Sequence, residues 1–435
     1  MWPYATILFA QRPVFIKITI FDMKFIIRLA LLFGFIFLME FYAYQAFKTL
    51  IKNRWLLIFY IVVNAFILGF IVYSFTKFDR SVGQTPQTMF TLGLLLVVYI
   101  PKMVVSIILF NEDFIRFLFG VFKHFAQPNS NSDFLIARRL FVSQIGIGLA
   151  SIPFLSLLYG IKYGKYNYKV IKQQVLYDDL PEAFDGFRIL QISDVHSGSF
   201  DNPEKIKYAI DLINEQEADL MLFTGDIVNT HAKEMHPWIE VFNDIKQHKY
   251  GKFAVLGNHD YGEYVTWKSA KEKEENFESI KKLYGNIGFQ LMLNEHRYIS
   301  KGQDQIALVG VENWGHNFKK AGDLDLASKH LKATDFKILM SHDPSHWNKI
   351  VQHNDLHFHL TLSGHTHGMQ FGIEIPGFFK WSPVQYQYEQ WAGLYEHKGR
   401  HLYVNRGFGF HAYPGRVGIM PEITVIELKK RQSRA

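Results

Sequence analysis

The chain has 435 residues, of which 49% are hydrophobic and 20% charged, with no cysteine and a formal net charge of +7. This composition excludes a disordered or collagen-like chain, and the lack of cysteine excludes a disulfide scaffold, thiolate metal sites and a cysteine nucleophile. Residues 1–160 contain 14 Lys and Arg against 6 Asp and Glu, whereas residues 161–435 contain 33 against 34, so the second part offers no basic surface for nucleic acid.

Residues 1–160 are predicted to form a transmembrane region. A spanning helix needs about 20 mostly apolar residues, and four stretches meet this requirement: 26–46, 55–75, 90–110 and 140–159. The alternative is a set of buried helices in a soluble bundle, which normally keep a polar stripe on one face. Residues 55–75 have almost no such stripe, and the pattern therefore favours a multi-pass membrane protein.

Three charged residues, Arg28, Glu40 and Lys102, lie within these spans or near their ends. For Arg28 and Glu40 the pattern favours snorkelling towards an interface or pairing between helices. Lys102 follows Pro101 in mid-span, where an ion path remains an alternative, because charges inside a bilayer are unfavourable and often functional.

The charges that flank the spans predict a topology. Ten Lys and Arg lie on the side of the termini and seven on the opposite side. The positive-inside rule thus favours cytoplasmic termini, with the second part on the cytoplasmic side of the plasma (inner) membrane. Met23 is a plausible translation start, so residues 1–22 are expected to be either a short tail or no part of the mature protein.

The second part is predicted to begin with a basic tether, residues 161–185, followed by an α/β domain over residues 186–430. Strands that alternate with helices, and then a strand-rich C-terminal half, indicate a layered α/β sandwich. The predicted helices cover residues 202–216, 234–247 and 268–284. The predicted strands cover residues 188–193, 220–224, 253–256, 306–311, 337–340, 358–362, 401–405 and 423–428.

Five polar clusters each follow a predicted apolar strand. Because sites in open α/β sheets form outside the carboxyl ends of strands, these clusters are expected to converge on one edge. Two of them are the complete tetrapeptides GNHD and GHTH, and the other three are partial motifs. The occurrence of all five in this order is improbable by chance. The clusters are Asp194-Val195-His196, Gly225-Asp226, Gly257-Asn258-His259-Asp260, Ser341-His342 and Gly364-His365-Thr366-His367.

The residue types in these clusters indicate a metal site. Any single histidine of this kind is more often a packed or surface residue, but oxygen and nitrogen donors without thiolates suit Mn, Fe or Zn. The clusters hold more potential ligands than one ion uses. His365 and His367 flank a single residue, and on a loop they can diverge towards two neighbouring ions, so the pattern favours a two-metal centre.

The clusters resemble the signature of the calcineurin-like metallophosphoesterase family, which is D-x-H, G-D, G-N-H-D/E, a later His and G-H-x-H. The resemblance covers about residues 187–428 and is greatest to the membrane-associated subgroup with N-terminal spans. Residues 180–188, 402–409 and 421–425 also resemble tracts of that subgroup. It implies a domain of two mixed β-sheets flanked by helices. Family members often have Asp at Asn229, Gly at Met369 and Asn at Asp343, and these departures leave the substrate fit open.

The resemblance also implies individual roles. His259 would be the general acid, oriented by a carboxylate for which Asp260 is the nearest candidate. The cofactors would be two divalent ions, with manganese favoured and iron or zinc as alternatives. The implied metal ligands are Asp194, His196 and His367 for the first ion, Asn258, His342 and His365 for the second, and Asp226 as the bridge between them.

The implied activity is hydrolysis of a phosphodiester or pyrophosphate bond by a metal-activated hydroxide. Attachment to a bilayer favours a lipid-linked substrate, for which UDP-diacylglucosamine-type glycolipid precursors, cleaved by relatives in this family, are the leading example. The alternatives are a general phosphodiesterase or nuclease, and a catalytically silent membrane sensor or binding module. His411 and Arg406 have no motif; contact with a substrate phosphate is an alternative to a packing role for each.

Overall fold

The computed structural model describes residues 20–126, 134–375 and 377–431. Residues 1–19 of the N-terminal segment 1–22, which is expected to be a short tail or no part of the mature protein, lie outside the described residues. The chain divides into two compact units, Met1–Val63 with Tyr99–Ser151, and Asn64–Val98 with Ile152–Ala435. The predicted division at residue 160 differs from this one, because residues 64–98 belong to the same unit as the α/β domain.

Four helices in the described part of the chain are long and apolar enough to cross a membrane, as predicted. They expose large apolar side chains such as Phe37, Phe59 and Phe66, which lipid can surround while each helix satisfies its own backbone hydrogen bonds. The third helix extends beyond the predicted span at both ends. These helices are α1 (Ile20–Leu50), α2 (Arg54–Thr76), α3 (Pro86–Ala126) and α4 (Phe134–Lys162).

The mid-span charges of the first unit are paired. Lys102 Nζ lies 2.6 Å from Glu40 Oε1, and the Tyr99 hydroxyl donates to the same oxygen at 3.0 Å. Glu40 lies in the middle of the apolar segment Ala30–Leu50 rather than near its end. Pairing between helices, one of the two expected explanations, therefore accounts for Glu40 and Lys102, since each charge offsets part of the desolvation cost of the other.

The α/β domain consists of two mixed sheets in the part of the chain that the structure describes. The first sheet has the order β1-β14-β2-β3-β4-β5 and the second β12-β13-β9-β8-β7-β6, beside the hairpin β10-β11. The strands are β1 (Lys169–Tyr177), β2 (Arg188–Ile192), β3 (Leu220–Phe223), β4 (Lys252–Ala254), β5 (Gln290–Leu291), β6 (Glu295–Lys301), β7 (Asp304–Gly310), β8 (Lys337–Met340), β9 (Leu360–Ser363), β10 (Ile373–Ile375), β11 (Phe379–Trp381), β12 (Gly393–His397), β13 (Arg400–Val404) and β14 (Glu422–Lys430).

Apolar side chains join the two sheets face to face. Ile189 and Leu222 of the first sheet share a buried cluster with Ile338 and Leu362 of the second. Helices cover the outer faces, so that each sheet is buried on both sides, which explains why its central strands are continuous apolar runs. These helices are α5 (Pro203–Asn214), α6 (Ile239–Asn243), α7 (Ala270–Asn286), α8 (Leu324–Ala327) and α9 (Ser345–Lys349).

Two predicted elements differ from the structure. The segment expected to be a tether contains β1, which pairs in parallel with β14 at the edge of the first sheet; its lysines resemble a linker because edge strands commonly carry charges. The predicted helix over residues 234–247 is a 3₁₀ stretch, Ala232–Trp238, followed by the short α6. Pro237 lies inside that stretch and cannot donate a backbone hydrogen bond.

The pair between Lys102 and Glu40 leads to a prediction. We expect Lys102→Met to lower the free energy of unfolding in detergent by about 2 kcal/mol, because the half-buried Glu40 carboxylate then loses its cation. The double variant with Glu40→Met should recover most of this loss. Denaturant unfolding followed by tryptophan fluorescence measures both, with Lys52→Met at an exposed position as the control. Equal losses in the single and double variants would contradict the pairing.

Candidate active site

Four of the five predicted loops line one cavity of about 400 Å³, and His342 of the fifth lies behind them, 3.2 Å from Asp226. The loops after β2, β3 and β4 come from the first sheet, and those after β8 and β9 come from the second. Gly225 allows this approach: its φ is +98°, and a Cβ atom there would lie 2.5 Å from the backbone nitrogen of Gly257. The cavity is lined by Phe78, Gly83, Gln84, Thr88, Leu92, His196, Asp226, Asn229, Thr230, Asn258, His259, Tyr264, Phe318, His365, His367 and His411.

One group of ligand atoms consists of Asp194, His196 and His367, whose donor atoms lie within 4.8 Å of one another. All three side chains are buried. His367 Nε2 lies 3.3 Å from Asp194 Oδ1, and His196 Nδ1 lies 3.1 Å from the side-chain oxygen of Asn229. These are the three residues expected at the first ion, and the structure brings them together.

A second group consists of Asp226, His342 and His365, again within 4.8 Å. His342 Nε2 lies 3.2 Å from Asp226 Oδ2 and 3.3 Å from His365 Nδ1. Asn258 belongs to the same place, since its side-chain oxygen lies 3.1 Å from His342 Nε2. The three residues expected at the second ion therefore lie together with the expected bridge.

Asp226 lies between the two groups. Its Oδ2 atom is 3.2 Å from His342 and 3.6 Å from His196. Asp226 also forms a third group of close donor atoms with His196 and His259. This is the position that a carboxylate shared by two ions would occupy.

The backbone at these residues is strained. Asp194, His196, Asp226, His365 and His367 have φ values of +53°, +49°, +63°, +71° and +50°. Residues with a side chain seldom adopt this left-handed region, and strain of about 1–3 kcal/mol each persists where the surrounding structure imposes it, often at functional sites. Here it turns the side chains at successive strand ends into one cavity.

Asp194 and Asp226 are fully buried carboxylates whose ion-pair partners, among the described residues, are histidines. Burial acts to raise the pKa of Asp226, but the neighbouring His342 and His259 together outweigh it and hold this pKa below its usual value. A buried charge is unfavourable unless it is paired or coordinates a metal. The donor set of carboxylate, amide and imidazole atoms thus fits divalent ions of the Mn, Fe and Zn type.

His259 is held in a fixed orientation beside these groups. Its Nδ1 atom lies 2.7 Å from the backbone carbonyl of Asn229, and its ring stacks on Tyr264 with 4.3 Å between centroids. Its backbone N–H donates to Asp226 Oδ1 at 2.8 Å. Burial lowers the pKa of the imidazole, and the carboxylate of Asp226 opposes this shift.

Asp260 occupies a different position from the expected one. Its carboxylate accepts the backbone N–H groups of Asp226, Ile227 and Gly257 at 2.8–3.0 Å and the Tyr284 hydroxyl at 2.8 Å. Burial and the nearby Asp226 raise the pKa of Asp260 to about 7. The Asn229 carbonyl, rather than this carboxylate, faces the His259 ring. The physical reason is that three backbone N–H groups of the loops after β3 and β4 lie within hydrogen-bond distance of this carboxylate and donate to it.

The structure adds residues that the motifs did not indicate. Asn229 orients two histidines, His196 through its side chain and His259 through its carbonyl. His411 lines the cavity, with its ring centroid 4.6 Å from that of His259. Arg406 instead pairs with Glu374 and Glu422, away from the lining residues. The only sequence signal for His411 was its place in the C-terminal tract.

Two family models and several known proteins match the chain. The family models "Probable Calcineurin-like phosphoesterase, transmembrane domain" and "Calcineurin-like phosphoesterase" match residues 23–165 and 187–369. The uncharacterised metallophosphoesterase YkuE of Bacillus subtilis is 32% identical over 58% of this chain and 82% of its own. A transmembrane protein with metallophosphoesterase domain from Danio rerio is 27% identical over 63% and 60%. The solved NAD nucleotidase of Haemophilus influenzae has 14% identity and a TM-score of 0.35, with 52% and 46% covered.

The contacts of Asp260 lead to a prediction. We expect Asp260→Asn to lower the free energy of unfolding by about 2 kcal/mol and to weaken metal binding, because an amide cannot accept all four donors. Denaturant unfolding and metal analysis measure the two effects, with Asp325→Asn at an exposed position as the control. If Asp260 only oriented His259, stability and metal content would stay at the wild-type level and the pH profile of turnover alone would change.

Proposed function

This chain belongs to the calcineurin-like phosphoesterase family, and we propose that it cleaves a phosphodiester or pyrophosphate bond in a lipid-linked substrate. It is an integral membrane protein and a metal-dependent phosphoester hydrolase. The observation that carries the proposal is the pair of ligand groups that meet at Asp226, in one cavity with His259.

The proposed assignment gives each ion three ligands and one shared carboxylate. The residues of the first group fit one ion, and His342, His365 and Asn258 fit the other. We propose manganese as the metal, with iron or zinc as the alternatives that the same donors accept. When bound, two divalent ions neutralise the anionic phosphate and activate a water molecule for attack on phosphorus. The assigned ligands are Asp194, His196 and His367, then Asn258, His342 and His365, with Asp226 shared.

His259 is the proposed general acid. Because its Nδ1 atom faces the Asn229 carbonyl, Nδ1 carries a proton and Nε2 is the atom that can release one to the departing oxygen. The stacked Tyr264 ring and the Asp226 contact to its backbone restrict the imidazole to one orientation. A positioned acid of this kind contributes about 10²–10⁴-fold to the rate.

The lipid-linked substrate class is supported by the wall of the cavity. Phe78, Thr88 and Leu92 line it beside the histidines. They come from the connection after α2 and the first turns of α3, which is an apolar spanning helix. A substrate that binds here meets the metal ligands and a membrane segment together, which suits a phosphate ester with a hydrocarbon tail. UDP-diacylglucosamine-type precursors are one member of this class.

We propose that the hydrolase faces the cytoplasm at the plasma membrane. The excess of flanking Lys and Arg on the side of the termini supports this topology. A trypsin-protection assay on sealed membrane vesicles tests it, since Lys271 on α7 is exposed. Cleavage in inside-out vesicles only is the expected result, and cleavage in right-side-out vesicles would overturn the proposed side.

The chemistry is tested with purified protein and Mn²⁺ on a set of substrates. The set contains an aryl phosphodiester, a phospholipid and a nucleotide-sugar lipid, with single-stranded DNA as the test of nuclease activity. We expect turnover of the aryl phosphodiester, the phospholipid and the nucleotide-sugar lipid. No turnover of any of them, with metal bound, would favour a binding module and overturn the proposal.

Two variants separate the roles of the proton donor and the shared ligand. We expect His259→Ala to keep its metal content and lose about 10²–10⁴-fold in turnover of esters with poor leaving groups. Asp226→Ala should lose metal as well as turnover, because both groups depend on its carboxylate. His397→Ala, at an exposed position, is the control. Unchanged turnover in His259→Ala, or full metal content in Asp226→Ala, would contradict the corresponding role.

A further inference from the structure

A second cavity of about 350 Å³ lies between the end of α2 and the start of α3. We call it the hairpin cavity. Four of its lining residues, Phe78, Gly83, Thr88 and Leu92, also line the active-site cavity, so the two spaces adjoin. Its other lining residues include Ser74, Phe75, Lys77 and Val82.

The wall of the hairpin cavity presents mostly apolar atoms. Phe75, Phe78, Val82 and Leu92 supply the large apolar side chains, and the threonines contribute methyl groups. Both helices that form the wall belong to apolar spanning segments. The cavity therefore suits a hydrocarbon chain, and its volume of about 350 Å³ is in the range of small-molecule sites, about 300–1,000 Å³.

Hydrogen bonds hold the connection between α2 and α3 in a fixed position within the second unit. Gln84 Nε2 donates to Ser199 Oγ at 2.9 Å, and Gln84 Oε1 accepts the backbone N–H of Ala412 at 2.8 Å. Ser199 follows the loop that carries His196, and Ala412 follows His411. A single glutamine thus ties the hairpin to two loops of the active site.

Packing reinforces these bonds. Met89, in the first turn of α3, is buried in the same apolar cluster as Leu190 and Phe223 of the first sheet. Thr266 N–H donates to the carbonyl oxygen of Arg80 at 2.9 Å. The hairpin cavity therefore has walls that the α/β domain itself positions, rather than walls that depend on a mobile segment.

One buried polar group points to an ester ligand. The Ser74 hydroxyl lines the hairpin cavity, is 7% exposed and has no hydrogen-bond partner among the described residues. An unsatisfied buried hydroxyl costs about 1–3 kcal/mol. A carbonyl oxygen of an acyl ester in the cavity would accept a hydrogen bond from the Ser74 hydroxyl and remove this cost.

We propose that the hairpin cavity binds the hydrocarbon tail of the substrate while its phosphate occupies the active-site cavity. This inference rests on the proposed phosphodiester hydrolysis and adds the site that selects the lipid. The two cavities share four lining residues, so one molecule can extend from one into the other, and both helices of the wall are apolar spanning helices. The exposed Lys77 lines the hairpin cavity together with Asp79.

Two esters with the same scissile bond test the proposal. Para-nitrophenyl hexadecyl phosphate and para-nitrophenyl methyl phosphate release the same leaving group and differ only in the tail. Both are assayed in the same detergent solution, the hexadecyl ester in mixed micelles at fixed surface concentration and the water-soluble methyl ester at fixed bulk concentration. We expect the wild type to prefer the hexadecyl ester in kcat/KM.

A variant that fills the hairpin cavity should remove this preference. Val82 lines the hairpin cavity but not the active-site cavity, and it is 47% exposed, so Val82→Trp can be accommodated without disturbing the core. We expect it to lower kcat/KM for the hexadecyl ester by at least about tenfold, the equivalent of about two buried methylene groups. Its kcat/KM for the methyl ester should stay at the wild-type value. Val72→Trp is the matched control, because Val72 is also an exposed valine but lies on α2, outside the cavity.

The possible failures differ from one another. No turnover of either ester by the wild type overturns the proposed function and this inference with it. Turnover of both esters with the same ratio in wild type and Val82→Trp overturns the tail site alone, as does an equal change in Val72→Trp. A hexadecyl phosphonate with a photoreactive tail gives a readout without turnover. It should label residues 74–92 of the wild type, and labelling confined to other segments overturns the site.

Discussion

Two fully buried carboxylates, Asp194 and Asp226, lie beside several imidazoles, and this concentration of ligand atoms is the constraint on which the rest of the second unit depends. Carboxylates without water need positive charge or hydrogen-bond donors nearby. The parallel strands bring the residues to one edge, and the left-handed backbone turns them inward. Asp260 then ties the loops after β3 and β4 together by accepting their N–H groups.

The membrane hairpin completes this site rather than merely anchoring it. Residues 64–98 pack within the same compact unit as the α/β domain, and they line the same cavity as the histidines. Because Gln84 is hydrogen-bonded to Ser199 and to Ala412, the position of the hairpin and the geometry of the active site are linked. The α/β domain expressed without α2 and α3 would lack one wall of its cavity and the side chain of Met89 in its core.

The sequence was a good guide wherever chemistry follows directly from a local pattern. The apolar spans, the central strands and the polar clusters at their ends are each visible within a few residues. It was a poor guide for Asp260 and Asn229, because the partner of a side chain depends on what other loops bring near it. A carboxylate next to a histidine in sequence suggests that it orients that histidine. In this protein the Asp260 carboxylate instead accepts backbone N–H groups of two loops.

The sequence by itself determined the membrane spans, the mixed α/β class and the set of donor atoms, since hydrophobic length, strand alternation and residue type are local properties. Only the tertiary structure decided that Asn229 orients His196 and His259, that His411 lies beside His259, and that residues 78–92 form a wall of the cavity. These are contacts between distant segments, such as Gln84 with Ala412, which are 328 residues apart in sequence. Such contacts arise from burial and hydrogen bonding between whole elements, for which no short stretch of sequence contains the partner.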